Sequence, residues 1–295
     1  MENPKPTTPV RPVAPTKIAA APKEEGRAGS IFASVVIPVA LVVAYLIYEF
    51  VLGNSGNFQG GDPTKHPLPG NVLGIVYKGG IIVPILLGLL IMIITFSIER
   101  LLTLNRAKGI NSIESFVRTV RQRLSANDTT GAIAACDTQK GSVASVVKAG
   151  LVKYREMEAD QTMEKDQKVA AIQKEIEEST TLELPMLEKN LVILSTIASV
   201  ATLVGLIGTV LGMIKAFSAL ANAGAPDAVA LSTGISEALI NTALGIGGST
   251  IAIILYNYFT SRIDELTYSI DEAGFSIAQT FAAQHGQSHV HRGQA

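Results

Sequence analysis

Residues 234–259 read GISEALINTALGIGGSTIAIILYNYF. The stretch is long and apolar enough to cross a bilayer, yet it carries a carboxylate, Glu237, close to its start. Charge in hydrocarbon is costly, so an acid there ordinarily faces a bundle interior or a wet cavity. At about 100° per residue, Glu237, Asn241, Gly245, Gly248 and Ala252 form one stripe, with Thr242 and Ser249 at its margin. Ile240, Ile246, Ile251 and Ile253 lie largely elsewhere. Two readings of Glu237 are open: an acid on a hydrated path, or a structural acid held by hydrogen bonds. Asn241 divides the same way, since a buried amide often only links helices.

The apolar segment before it repeats the design. Ser195, Ala198, Thr202, Gly205, Thr209, Gly212 and Ala216 fall on one face. Small residues let helices approach closely in lipid, and GTVLG at 208–212 is a small-xxx-small pattern that adds Gly208 to the packing set. A short loop makes the two segments an antiparallel hairpin, which brings Thr209, Glu237 and Thr242 to similar depth. One acid and two hydroxyls suit a hydrated proton or cation path. No nucleophile–base pair, HExxH helix or phosphate-binding glycine loop is present, so an enzyme reading has no support.

The rest of the chain agrees with a membrane protein. Of 295 residues, 47% are hydrophobic and 17% charged, below the roughly 25% charge of a soluble domain. A net charge of −1 argues against a nucleic-acid partner. The single cysteine, Cys136, excludes an internal disulfide and reads as a buried thiol. Four runs reach the length of a spanning helix: 31–52, 80–97, 191–220 and about 229–259. The first lies too far in, and runs too long, for a signal peptide. Lys5, Arg11, Lys17, Lys23 and Arg27 precede it, Arg100, Arg106 and Lys108 follow the second run, and Arg262 follows the fourth. The positive-inside rule then puts both termini and the segment 101–188 in the cytoplasm.

The expected organisation is all-α and polytopic, with four transmembrane helices and long helices extending into the cytoplasm. Residues 1–29 are Pro, Ala and Lys rich and read as a disordered cytoplasmic tail. An additional transmembrane helix follows at 30–53, then a periplasmic loop at 54–79, dense in Gly, Pro and Asn, in which Asn57 is expected to be accessible. The second span covers 80–100. In the helical cytoplasmic domain, 101–188, Ile113, Phe116, Val117, Val120 and Leu124 recur at helical spacing, Asn127 or Asp128 can cap the next helix, and Pro185 is expected to bend the approach to the third span. The pore-forming hairpin covers 189–260. A cytoplasmic helix and flexible tail cover 261–295, with His285, His289 and His291 in the tail.

VGLIGTVLGMIKAF at 204–217, followed by the opening stretch, resembles the ExbB/TolQ branch of the MotA/TolQ/ExbB proton-channel family. SIERLLTLNRAKG at 97–109 resembles the end of that family's first helix, so the likeness covers about 75–265. It matches Thr209 to the family's GTV threonine, Glu237 to the acid of G-I-x-E-A-L and Thr242 to the threonine after it. The resemblance implies a ring-shaped homopentamer in the bacterial inner membrane that encloses the single span of an ExbD/TolR-like partner. That partner brings the aspartate that binds the moving ion, H⁺, and no cofactor is implied. In the ExbB case the motor drives a TonB-like protein. Tol-type or gliding motors, and a non-conducting membrane scaffold, are the alternatives. Three departures stand out: Thr202 replaces a proline usual before the GTV run, Asn241 stands where a small residue is usual, and the first span is additional.

Overall fold

The computed structural model describes residues 25–221 and 227–284. The expected disorder of 1–24, the loop residues 222–226 and the histidine-bearing tail lie outside the described residues. Among the described residues nine α-helices follow one another and no strand occurs. Four of the helical stretches are long and apolar enough to cross a membrane.

Helix α1 (Glu25–Ile47) begins inside the stretch read as tail and ends in a π-turn, Tyr48–Leu52. Ala40 and Ala44 are its buried positions against α3 (Ile82–Lys108), where Gly88 lets Leu41 settle onto the helix backbone. Val35, Val39, Val42 and Tyr45 stay exposed. Such a helix, apolar around most of its circumference and touching the protein along a narrow seam, suits a lipid-facing periphery.

The segment 54–79 differs from a loose loop. Asn57 is buried, and its amide donates to the carbonyls of Val51 (2.8 Å) and Leu52 (2.9 Å), which the end of the π-turn leaves free. Asn71 caps the short helix α2 (Val72–Tyr77) and donates to Asn57 Oδ1. Tyr77 stacks on Tyr48 at 4.6 Å between ring centroids. The segment is a folded cap, and the expectation that Asn57 is accessible is corrected: backbone groups stranded between elements recruited it as a partner.

After α3 come α4 (Ile113–Ser125), α5 (Thr129–Gln139), α6 (Gly141–Ala159) and α7 (Lys165–Glu188). The five positions spaced along α4 are its buried face. Asp128 caps α5 through Gly131 N (2.8 Å), and that amide together with Arg123 holds its carboxyl below the usual range; Asn127 instead takes the turn at φ 58°. Cys136 is buried, and burial pushes its thiol up to about 12.

Pro185 lies inside α7, and the break before α8 (Leu191–Ala221) falls later, where Asn190 takes φ 65°. Asn tolerates that left-handed conformation better than most residues. Arg100, buried, donates to the Leu187 carbonyl (3.0 Å) that the break strands, while Glu99 grips Arg100 Nε (2.7 Å) and accepts from Asn190 Nδ2 (3.1 Å). Helix α9 (Ala228–Gln284) runs on well past the apolar half. At 1.5 Å per residue it is roughly 85 Å long. Its far half buries Ile263, Leu266, Ile270, Ile277 and Phe281 against α4, α6 and α7, with Phe281 edge-on to Tyr154.

Candidate functional site

Helices α8 and α9 pack closely because their small residues face each other. A Cβ on Gly205 would lie 2.8 Å from the Asn241 carbonyl oxygen, and one on Gly245 would lie 2.7 Å from that of Ala201. Gly212 meets the backbone of Gly234 and Ala238, and Gly208 meets the Asn241 side chain. Gly248 is buried, and Ser249 donates across to the Ala198 carbonyl. These contacts lie inside one protomer. The buried line of α8 passes through Ala201 and Gly208 beside Gly205 and Gly212, so Thr202 is exposed on the protomer, off the α8–α9 seam.

Glu237 is 4% exposed. Its carboxylate oxygens accept from Lys215 Nζ at 2.7 and 2.8 Å. On its other side lies Gly80, at the start of α3. A Cβ there would fall 2.3 Å from Glu237 Oε1, and Gly80 has φ +75°, so space and backbone both require glycine. One turn along α9, Asn241 is fully buried and donates from Nδ2 to the Gly79 carbonyl (2.8 Å). Its Oδ1 has no partner among the described residues. Asn241 thus ties the turn before α3 to α9, and Glu237 packs against the same turn at Gly80.

The hydroxyls of Thr209 and Thr242 meet each other across the hairpin. Gly205 O lies 3.2 Å from the Thr209 hydroxyl and Ala238 O 3.1 Å from that of Thr242, so whichever hydroxyl accepts in the bridge can donate to the carbonyl on its own helix. Glu237 is absent from this pair. Five residues separate it from Thr242, which on a helix is about 140° of rotation. The acid and the two hydroxyls therefore fall at two places on the α8–α9 seam: an ion pair between Lys215 of α8 and Glu237, beside the turn that precedes α3, and a hydroxyl bridge between Thr209 and Thr242. Thr209 opens onto an apolar groove that Val210, Met213, Ile214 and Phe217 line.

Lys215 was not among the residues that the sequence pointed to. A signal existed, because Lys215 is the sole charged residue of α8 and Glu237 the sole one in 228–259. Helix wheels built one helix at a time do not pair such charges. Gly79 and Gly80 were missed for a similar reason: their need is set by a side chain far along the chain. No group of three or more His, Cys, Asp or Glu fit to hold a metal occurs among the described residues.

Residues 139–272 match the model of the MotA/TolQ/ExbB proton channel family. The chain is similar to the Tol-Pal system protein TolQ of Pseudomonas aeruginosa, at 30% identity over 42% of this chain and 54% of that protein. It is 38% identical to the Haemophilus influenzae TolQ over 28% of this chain and 37% of that one. The biopolymer transport protein ExbB of Neisseria meningitidis serogroup A aligns over 68% of this chain and 92% of its own length, at 26% identity. The chain thus spans about half or less of the two TolQ proteins and nearly all of that ExbB.

Proposed function

Because the chain belongs to the MotA/TolQ/ExbB proton channel family, in its ExbB/TolQ branch, we propose that it is the proton-channel stator subunit of an ion-driven motor in the inner membrane. Five copies form a ring with α8 and α9 turned inward, around the single span of an ExbD/TolR-like partner. Both termini and the helical domain are cytoplasmic. The partner carries the aspartate that takes up H⁺, and the ring converts the proton motive force into mechanical work on a TonB-like protein. A Tol-type motor is the second reading, favoured by the similarity to TolQ proteins.

The observation that carries this reading is the buried Glu237, the one acid of the apolar stretch 228–259, held by a lysine whose own side chain is 58% exposed. A merely structural acid needs no partner that reaches out of the protomer. In the ring, Lys215 is free to exchange Glu237 for the carboxylate of the partner, which releases Glu237 to water or to a proton. Thr209 and Thr242 provide hydroxyls that can relay or solvate the ion, and Asn241 fixes the acid's helix against α3. Thr202, exposed on the protomer, is read as lining the ring's interior.

The test is gradient-dependent uptake or motility in cells, beside a pull-down of the single-span partner. Glu237→Ala is expected to abolish the work and leave assembly intact, because alanine suits the small-residue stripe. Glu237→Gln keeps shape and removes charge, which separates the two contributions. Wild-type activity in a normally assembled Glu237→Ala complex would leave Glu237 as a structural acid alone.

A further inference from the structure

Between the folded cap and the first turns of α9 lies a cavity of about 520 Å³. Its charge is one-sided: Lys65, His66 and Lys78 come from the cap, Ser232 and Ser236 from α9, and no carboxylate lines it. The Lys78 ammonium is held in place. It donates to the carbonyls of Pro63 (2.8 Å) and Thr64 (3.0 Å), and sits 5.6 Å from the centre of the Phe58 ring. A lysine fixed in this way is an oriented charge at the wall of the cavity. The Lys65 ammonium, the His66 ring and the hydroxyls of Ser232 and Ser236 make no hydrogen bond among the described residues, so their donors are free for a guest. Asp62, which does not line the cavity, accepts the amide and hydroxyl of Thr64 on Oδ1 and offsets part of the charge of Lys65 and Lys78, while Asp227 Oδ1 takes the first amides of α9.

We propose that this cavity binds a phosphate group, either the phosphodiester of an anionic phospholipid or a phosphate ion. Ammonium groups supply charge, and serine hydroxyls supply directional donors to the phosphate oxygens. The level in the membrane favours the lipid. The stacked Tyr48–Tyr77 pair and the start of α3 at Ile82 mark a boundary of the kind where amphipathic aromatic rings gather, at headgroup height. Ile75 and Val229 give the cavity an apolar wall against which the first carbons of the lipid can lie. The inference is independent of the motor reading and needs only that the four apolar helices sit in a bilayer.

The full chain, purified in dodecyl maltoside, is titrated with dioctanoyl phosphatidylglycerol, with inorganic phosphate and with dioctanoyl glycerol, and binding is followed by microscale thermophoresis. Phosphatidylglycerol is expected to bind, more weakly as salt is raised, and Lys65→Gln combined with Ser236→Ala is expected to weaken it about tenfold or more. Those two side chains make no hydrogen bond in the fold, whereas Lys78→Ala would also loosen the cap. Phosphatidylglycerol binding tighter than inorganic phosphate assigns a lipid guest; equal affinities, both lost in the double variant, assign a soluble one. Equal binding of phosphatidylglycerol by wild type and double variant, or equal binding of the phosphate-free dioctanoyl glycerol, overturns the proposal.

Discussion

Lys215 Nζ lies 2.7 Å from one carboxylate oxygen of Glu237 and 2.8 Å from the other, and the two partners differ sharply in burial. The carboxylate is inside the protein and the lysine is more than half outside it. Their removal is therefore not symmetric. Lys215→Ala strands a charge in a closed site, and an unpaired buried charge costs more than the pair contributes. Partial access of water to the lysine side moderates this, and a loss of about 1–3 kcal/mol is expected. Glu237→Gln leaves Lys215 in solvent and keeps the side-chain shape, so its cost should stay within about 1 kcal/mol. Unfolding of the purified protein in detergent measures both. A Glu237→Gln variant less stable than Lys215→Ala would mean that the ion pair, not desolvation of the acid, governs the site.

The glycines of the hairpin give a second contrast. Gly245 and Gly247 are two residues apart on α9, yet only the first faces α8. A Cβ on Gly245 would lie 2.7 Å from Ala201 O and 2.8 Å from Gly205 Cα, backbone atoms that have no rotamer to change. Gly245→Ala should cost about 1–3 kcal/mol by overpacking. A Cβ on Gly247 meets nothing within 4 Å, so Gly247→Ala should be neutral or gain up to about 1 kcal/mol of helix propensity. Gly208→Leu should block assembly by first breaking the hairpin, since its Cβ would lie 2.5 Å from Asn241 Cβ. A well-folded Gly208→Leu monomer that fails only to oligomerise would move that glycine to an interface between copies.

These contacts also mark how far the sequence alone could reach. The five core positions of α4, the Glu237–Asn241–Gly245 stripe and the hairpin were legible because each follows a helical period or a short connection. Lys215, Gly79 and Gly80 were not, because each is required by a residue on another helix. Pro185 lies inside α7, and the break before α8 that the sequence pattern did not mark comes at Asn190, where Glu99 and Arg100 supply the partners that let the chain turn. Residue composition correctly marked 54–79 as non-spanning, but Gly, Pro and Asn also build compact caps when stranded carbonyls nearby need donors.

Orientation is tested by cysteine labelling with the cap in mind. Buried Asn57 is a poor reporter, whereas Ser55 is exposed. Ser55→Cys should react with an impermeant maleimide in outer-membrane-permeabilised cells, and Ser125→Cys only after lysis. The native Cys136 should stay silent in both, because it is buried and burial raises its thiol to about 12. A raised thiol favours the unreactive protonated form, so its labelling should remain slow through pH 7–9 and become fast only on unfolding. Labelling of Ser125→Cys with Ser55→Cys protected would invert the topology.

The hydroxyl bridge between Thr209 and Thr242 sets the last expectation. Each threonine has a second acceptor on its own helix, Gly205 O for the first and Ala238 O for the second. Removing one hydroxyl therefore leaves the other with a partner, and no buried donor is orphaned. Thr209→Val and Thr242→Val keep the branched shape and should each lower gradient-driven activity modestly, by about twofold to fivefold, or up to about 1 kcal/mol in barrier. The double variant removes every side-chain hydroxyl from this crossing, leaving an apolar seam that water has no reason to enter. Its loss should exceed the product of the single losses, which is the sign of two groups acting as one unit. Partner pull-down and detergent stability should stay near wild type in all three, since valine fills the same volume. A double variant no worse than either single would show that the bridge holds helices together without serving the ion.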